Sequence, residues 1–148
     1  MVGSLARYLR MLGCDTEYAR GWSDDEIVRR ARAEERVVLT RDRELARRAP
    51  GSVLLTSPRL ADQLRAAWSA MPAIPTELRF ERCTLCNGTL ARVTGTPSID
   101  LPAGVPRDRV AAGLPLYRCE ECAHIYWEGS HTAEVRRRLN EWSGRTPT

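Results

Sequence analysis

Leu5, Leu9 and Leu12 recur at helical spacing behind Ser4, a residue able to cap, and Gly13 ends the run. Asp15 to Ala19 reads as extended, and Ser23-Asp24-Asp25-Glu26 is a capping box with Ile27, Val28 and Ala31 as the apolar stripe behind it. Arg36 to Thr40 predicts a buried strand, Glu44 to Arg48 a short helix, and Val53 to Thr56 another strand. Ser57-Pro58 predicts a helix running to about Ala70, with Pro58 at its first position. The order α-β-α-β-α-β-α is that of an α/β fold with a parallel, doubly wound sheet.

Two prolines in Met71-Pro72-Ala73-Ile74-Pro75 cannot continue the preceding helix. The chain therefore reads as a domain over 1–70, a linker over 71–78 and a second domain over 79–148. Gly95 to Gly113, rich in Pro and Gly, predicts an inserted loop. A final helix from about Thr132 to Trp142 sets Val135, Leu139 and Trp142 on one side and Arg136, Arg137 and Arg138 largely on the other. The triple arginine reads as a solvated face, with phosphate contact as the alternative.

At 148 residues with 43% apolar and 28% charged residues, the composition is globular and excludes a disordered or collagenous chain. The longest apolar runs, Val37-Val38-Leu39 and Val53-Leu54-Leu55, are far too short to span a membrane, and no secretory signal pattern opens the chain. A soluble, cytoplasmic protein without a membrane partner is the expectation. Twenty-three basic residues against nineteen acidic ones give +4, and every basic residue is arginine. That balance is compatible with nucleic acid without pointing to it.

Two identical spacings, Cys83-Thr84-Leu85-Cys86 and Cys119-Glu120-Glu121-Cys122, change the picture. Two intervening residues let both sulfurs of a tight turn face one ion, so the pairs predict a tetrahedral four-cysteine zinc site. Asn87-Gly88 relieves the first turn, and Ala123-His124 follows the second less favourably. His124 and His131 are conceivable substitute ligands, but four thiolates already saturate the ion. Two disulfides or a redox dithiol are the competing readings, the former disfavoured in a reducing compartment. Cys14 reads as a small buried side chain.

In open α/β sheets ligands bind beyond the carboxyl ends of the strands. Asp24 and Asp25 follow the first expected strand and Asp42 the second, and carboxylates on adjacent strand ends can share hard divalent ions. Such ions activate water and neutralise a phosphodiester transition state. Equally, Asp24 and Asp25 suit a helix first turn and Asp42 a helix cap.

The runs Val2-Gly3-Ser4-Leu5-Ala6-Arg7-Tyr8-Leu9-Arg10-Met11-Leu12-Gly13-Cys14-Asp15-Thr16, Ser23-Asp24-Asp25-Glu26-Ile27 and Leu39-Thr40-Arg41-Asp42-Arg43-Glu44-Leu45 resemble the PIN-type Mut-seven C-terminal RNase family. Arg82-Cys83-Thr84-Leu85-Cys86-Asn87, Val105-Pro106 and Cys119 to His131 are similar too. The resemblance implies a PIN-like domain, a small zinc ribbon with a C-terminal helix, and a Mg²⁺- or Mn²⁺-dependent endoribonuclease. It makes Asp24 and Asp42 family acidic positions, with Asp25 and Glu44 as neighbours. Arg7, Arg41 and Arg43 then become candidate contacts to the RNA backbone, and Tyr126 and Trp127 candidate stacking faces that serve equally well as ribbon core.

The family places a short apolar strand ending in an aspartate before the segment that matches Met1-Val2-Gly3. This sequence has neither, so a longer natural protein is expected, and inactivity of the form starting at Met1 is one expectation. A non-catalytic RNA-binding module and a zinc-ribbon adaptor for protein partners are the alternative functions.

Overall fold

The computed structural model of the protein describes residues 2–94 and 101–144. Met1 and residues 95–100 of the expected insert lie outside the described residues. The chain divides into two compact units, one of residues 1–6 and 16–74, the other of residues 7–15 and 75–148. Residues 7–15, which the sequence reading assigns to the first domain, thus group with the cysteines.

Helix α1 (Val2–Met11) begins in the first unit and ends in the second, starting two residues before the expected cap Ser4. The first unit continues with α2 (Asp24–Ala33), β1 (Leu39–Thr40), α3 (Arg43–Arg48), β2 (Val53–Leu54) and α4 (Leu60–Ala70). Ser23 caps α2 as expected, its hydroxyl accepting from the Glu26 amide at 3.2 Å. Strands β1 and β2 pair in parallel, Leu39 with Val53 and Thr40 with Leu54, and α3 is the crossover between them. Bonds from Val53 N to Val38 O (2.8 Å) and Leu55 N to Thr40 O (2.7 Å) extend the ladder. Val28, Leu45 and Ala49 form a buried cluster with Ile27 and Val38 against it.

The sequence predicts three strands here; the described residues contain two, each of two residues, so the unit is α/β with a small parallel sheet. Residues 15–19 form no strand. Their side chains are engaged locally instead: Glu17 pairs with Arg30 at 3.3 Å, and the half-exposed Tyr18 ring lies over Gly3. Pro58 also falls outside α4. The Ser57 hydroxyl accepts from the Arg59 amide (3.1 Å) and donates to Asp62 (2.7 Å), so a hydroxyl-centred turn precedes the helix.

In the second unit β3 (Leu90–Arg92), β4 (Leu116–Cys119) and β5 (Ile125–Trp127) form an antiparallel sheet in that order, Leu90 facing Cys119 and Tyr117 facing Tyr126. A short helix α5 (Arg107–Ala111) occupies part of the expected loop. Cys83, Leu90 and Cys119 are buried with Phe80, Tyr117 and Tyr126, the rings of Phe80 and Tyr117 stacking at 4.6 Å. Val105, Leu116 and Ile125 form a further cluster with Trp127 packed against it. Helix α6 (Ser130–Ser143) buries Thr132 and Leu139 and stops at Gly144, whose φ of +72° suits glycine. Its triple arginine is ion-paired: Arg136 with Glu128, and both Arg137 and Arg138 with Glu134 at 2.8 Å. Those two guanidiniums hold the Glu134 carboxyl down to about 2.

The C-terminal half of α1 is built into this unit. Arg10, only 9% exposed, donates through Nη1 to the carbonyls of Thr84 and Leu85, each at 3.2 Å. The Arg79 amide donates to Met11 O (2.8 Å), and Asn87 Nδ2 to Asp15 Oδ1 (2.7 Å). Gly13 has φ +86°, a left-handed conformation that favours glycine. Replacing Arg10 by Met keeps the bulk but strips two carbonyls of their donor. The expected cost is about 1–3 kcal/mol, read as a lower thermal midpoint with unchanged helix content.

Candidate functional site

The two C-x-x-C turns are near copies. Asn87 N donates to Cys83 O (2.9 Å) and Ala123 N to Cys119 O (3.0 Å). Cys83 N donates to Gly88 O (2.8 Å) and Cys119 N to His124 O (2.9 Å), closing each loop. Closure requires a left-handed residue after the second cysteine, and Asn87 (φ +69°) and Ala123 (φ +62°) supply it. Asparagine takes that conformation readily; alanine is strained there.

The four sulfurs of Cys83, Cys86, Cys119 and Cys122 lie within 4.8 Å of one another. Cys83 and Cys122 are 3.6 Å apart and Cys86 and Cys119 3.5 Å, too far for the ~2.05 Å of a disulfide bond. Four sulfurs about 2.3 Å from a tetrahedral zinc ion would be about 3.8 Å apart. The donor set therefore fits a metal such as zinc. His124 and His131 are not part of the group: each packs edge-on against an aromatic ring, Tyr126 and Trp127 respectively.

Tyr126 orders the first turn. Its hydroxyl lies 3.0 Å from Cys83 Sγ and accepts from the Thr84 amide at 3.1 Å. Burial pushes the Cys83 thiol up, but the Tyr126 hydroxyl and the Cys86 and Leu85 amides outweigh it and leave it at about 6. The Gly88 amide holds Cys86 down, yet burial and the neighbouring sulfurs push it up to about 12. Without a cation, ionisation is thus favoured at Cys83 and opposed at Cys86 and Cys122. Cys14, half-buried, has its thiol raised by burial, in keeping with a packing role.

The acidic candidates are arranged differently. Asp24 lies 3.6 Å from Arg48 Nη1, and Asp25 pairs with Arg48 Nη2. The structure thus brings these two together around one guanidinium. Asp42 caps α3, its Oδ1 accepting from the amides of Glu44 (2.7 Å) and Leu45 (3.1 Å). Glu44 pairs with Arg47 at 3.0 Å. Among the described residues, the cysteines alone form a group of three or more His, Cys, Asp or Glu side chains with converging ligand atoms. As placed, the carboxylates form no ready cradle for a divalent ion. Asp62, in the first turn of α4, is held by the Ser57 hydroxyl at 2.7 Å and by Arg65 at 3.1 Å.

A model of the family described as Mut7-C RNAse domain matches residues 1–139. The chain belongs to the Mut7-C RNase family. All four cysteines and all four acidic candidates lie inside the matched span. No curated protein and no solved structure matches the chain. Among the described residues no helix is long and apolar enough to cross a membrane. Of the arginines considered for RNA contact in this Mut7-C chain, Arg41 and Arg43 are exposed beside Asp42, and Arg7 is exposed on α1 in the cysteine unit.

One equivalent of zinc per chain is expected by elemental analysis. The Cys83 thiol, normally near 9.0, sits at about 6 in the fold; its thiolate favours the metal-free fold fully above 9.0, an advantage lost as pH falls through about 6. Protons also compete with metal, so zinc transfer to a chromophoric chelator should rise as the pH drops through that window. At Gly88 an added Cβ would lie 2.5 Å from Glu121 Cγ and 2.9 Å from Cys119 Sγ. Gly88→Ala should therefore release zinc at lower chelator concentration than the parent protein, with α2–α4 unaffected by amide exchange.

Proposed function

We propose that this Mut7-C chain is an endoribonuclease that depends on Mg²⁺ or Mn²⁺, its first unit a PIN-like domain and its second a zinc ribbon. The observation that carries the reading is the family match, which runs through both the acidic positions and the cysteines. In this reading Asp24 and Asp42, with Asp25 and Glu44 beside them, supply the negative charge that RNA hydrolysis needs, and Arg41 and Arg43 steer the phosphate backbone. The four cysteines hold zinc as a structural element. The carboxylates do not converge, Asp24 and Asp25 lying at Arg48 and Asp42 on the α3 amides, and this favours a second reading, an RNA-binding module that does not cut.

The test uses Asp42→Asn. Asparagine caps a helix as well as aspartate does, so α3 should survive while the charge is lost. Mn²⁺-dependent cleavage of mixed RNAs should fall on the order of 10²-fold in Asp42→Asn, with an unchanged melting temperature. Unaltered cleavage would remove Asp42 from the chemistry. RNA binding with no cleavage product at any Mn²⁺ concentration would favour the second reading.

A further inference from the structure

The second unit contains a cavity of about 310 Å³ that the cysteine cluster does not use. It lies along β5, the edge strand of the sheet, and its walls include Tyr126, Trp127, His131, Arg7, Arg79 and Arg82. That volume is within the range of small-ligand sites, roughly 300–1,000 Å³.

The charge around it is lopsided. Arg79 pairs with Glu81 at 3.3 Å, whereas Arg82 donates at 3.3 Å to the Asn87 carbonyl. Arg7 and Arg82 have no acidic partner among the described residues, although most guanidiniums on α2 and α6 do. Three guanidiniums thus face one carboxylate. A solvated surface tolerates that imbalance, and an anionic ligand benefits from it.

The aromatic groups are held in place beforehand. The Tyr126 hydroxyl is fixed to Cys83 and Thr84, and its ring meets His124 edge-on at 4.8 Å. Trp127 packs against the Val105 cluster and meets His131 edge-on at 5.9 Å. A ring immobilised before binding loses little freedom when a base stacks on it. Flat aromatic surface flanked by forked cations is the chemistry of single-stranded nucleic acid, whose bases present π faces and whose phosphates take guanidinium forks.

We infer that this cavity binds an unpaired nucleotide of single-stranded RNA, its base against Trp127 or Tyr126 and its phosphates at Arg7 and Arg82. The inference deepens the ribonuclease reading and rests on RNA being the substrate. It assigns a holding role to the cysteine unit, distinct from cutting. An apolar peptide added to the open edge of β5 is disfavoured, because it would leave the guanidiniums uncompensated.

The experiment uses the full zinc-loaded chain without Mg²⁺ or Mn²⁺, so binding is read apart from cleavage. The affinity of a labelled single-stranded oligoribonucleotide is followed by fluorescence anisotropy across a salt series. For single strands each phosphate contact adds about 0.7 to the slope of log affinity on log salt, so Arg7→Gln and Arg82→Gln should each lower it by about that amount. Trp127→Leu should weaken binding about tenfold without changing the slope. If that variant loses zinc, the arginine variants decide. A 4-thiouridine probe should crosslink to peptides spanning residues 124–132. Unchanged slopes in both arginine variants, crosslinks confined to residues 16–74, or equal competition by polyglutamate would overturn the assignment. Binding with these effects but no Mn²⁺-dependent cleavage would support this site and count against the nuclease reading alone. Cleavage with unchanged slopes would overturn this site alone.

Discussion

Four sulfurs within 4.8 Å of one another are the constraint on which the second unit depends. Strands of three or four residues make a sheet too small to be stable by pairing alone, and such folds need a staple. A four-cysteine group can be that staple only if two chain reversals bring the pairs together. Reversal in two residues forces the following backbone into the left-handed region, at Asn87 and again at Ala123. The close approach of Gly88 to Cys119 Sγ and the pairing of Leu90 with Cys119 follow from the same demand. The opposed shifts of Cys83 and Cys86 express it electrostatically: one thiol of the first turn ionises readily while its neighbour resists.

Among its described residues the first unit has no comparable cross-link and relies on caps, short parallel pairing and buried apolar side chains such as Val28, Leu45, Leu55 and Leu64. Charge serves structure there, and the absence of lysine makes every cation a planar fork. Arg29 grips Glu26 with both Nε and Nη2, and Arg48 reaches two aspartates at once. Exposed pairs of this kind add little stability of their own, because water screens them. Their larger effect is to cancel charge locally, which is why guanidiniums without an acidic partner among the described residues, such as Arg7 and Arg82, identify a surface better than the net +4 does.

Local features were legible in the sequence and distant ones were not. The cysteine spacing, the Ser23 cap and the glycine stop after α1 are decided by neighbours within a few residues, so their chemistry is visible in the string. The role of Arg10 is not, because its carbonyl partners lie 74 and 75 positions away. On a helix with leucines at one face an arginine reads as solvent-facing, and only the folded chain shows it under the first cysteine turn. The strand expected at residues 15–19 failed for a related reason: Glu17 and Tyr18 find side-chain partners that no alternation rule registers. The Pro58 signal was real as a boundary, but the Ser57 hydroxyl moved the helix start to Leu60.

Asp42 shows how one carboxylate can serve structure and still be open to chemistry. Both of its hydrogen bonds from the α3 amides end on Oδ1, leaving Oδ2 with no hydrogen bond among the described residues. A cap through one oxygen orients the other, and the helix dipole favours the charge where it sits. Asp24 and Asp25 are in the opposite position, both oriented by a side chain rather than by backbone. Arg48 is 40% exposed and Asp25 86% exposed, so their pairing is screened by water and yields at little cost to a more highly charged cation. Arg48 is therefore a weak rival for these two carboxylates. What limits a metal centre in the first unit is geometry, since bridging Asp24 and Asp42 needs a convergence that side-chain charge alone does not supply.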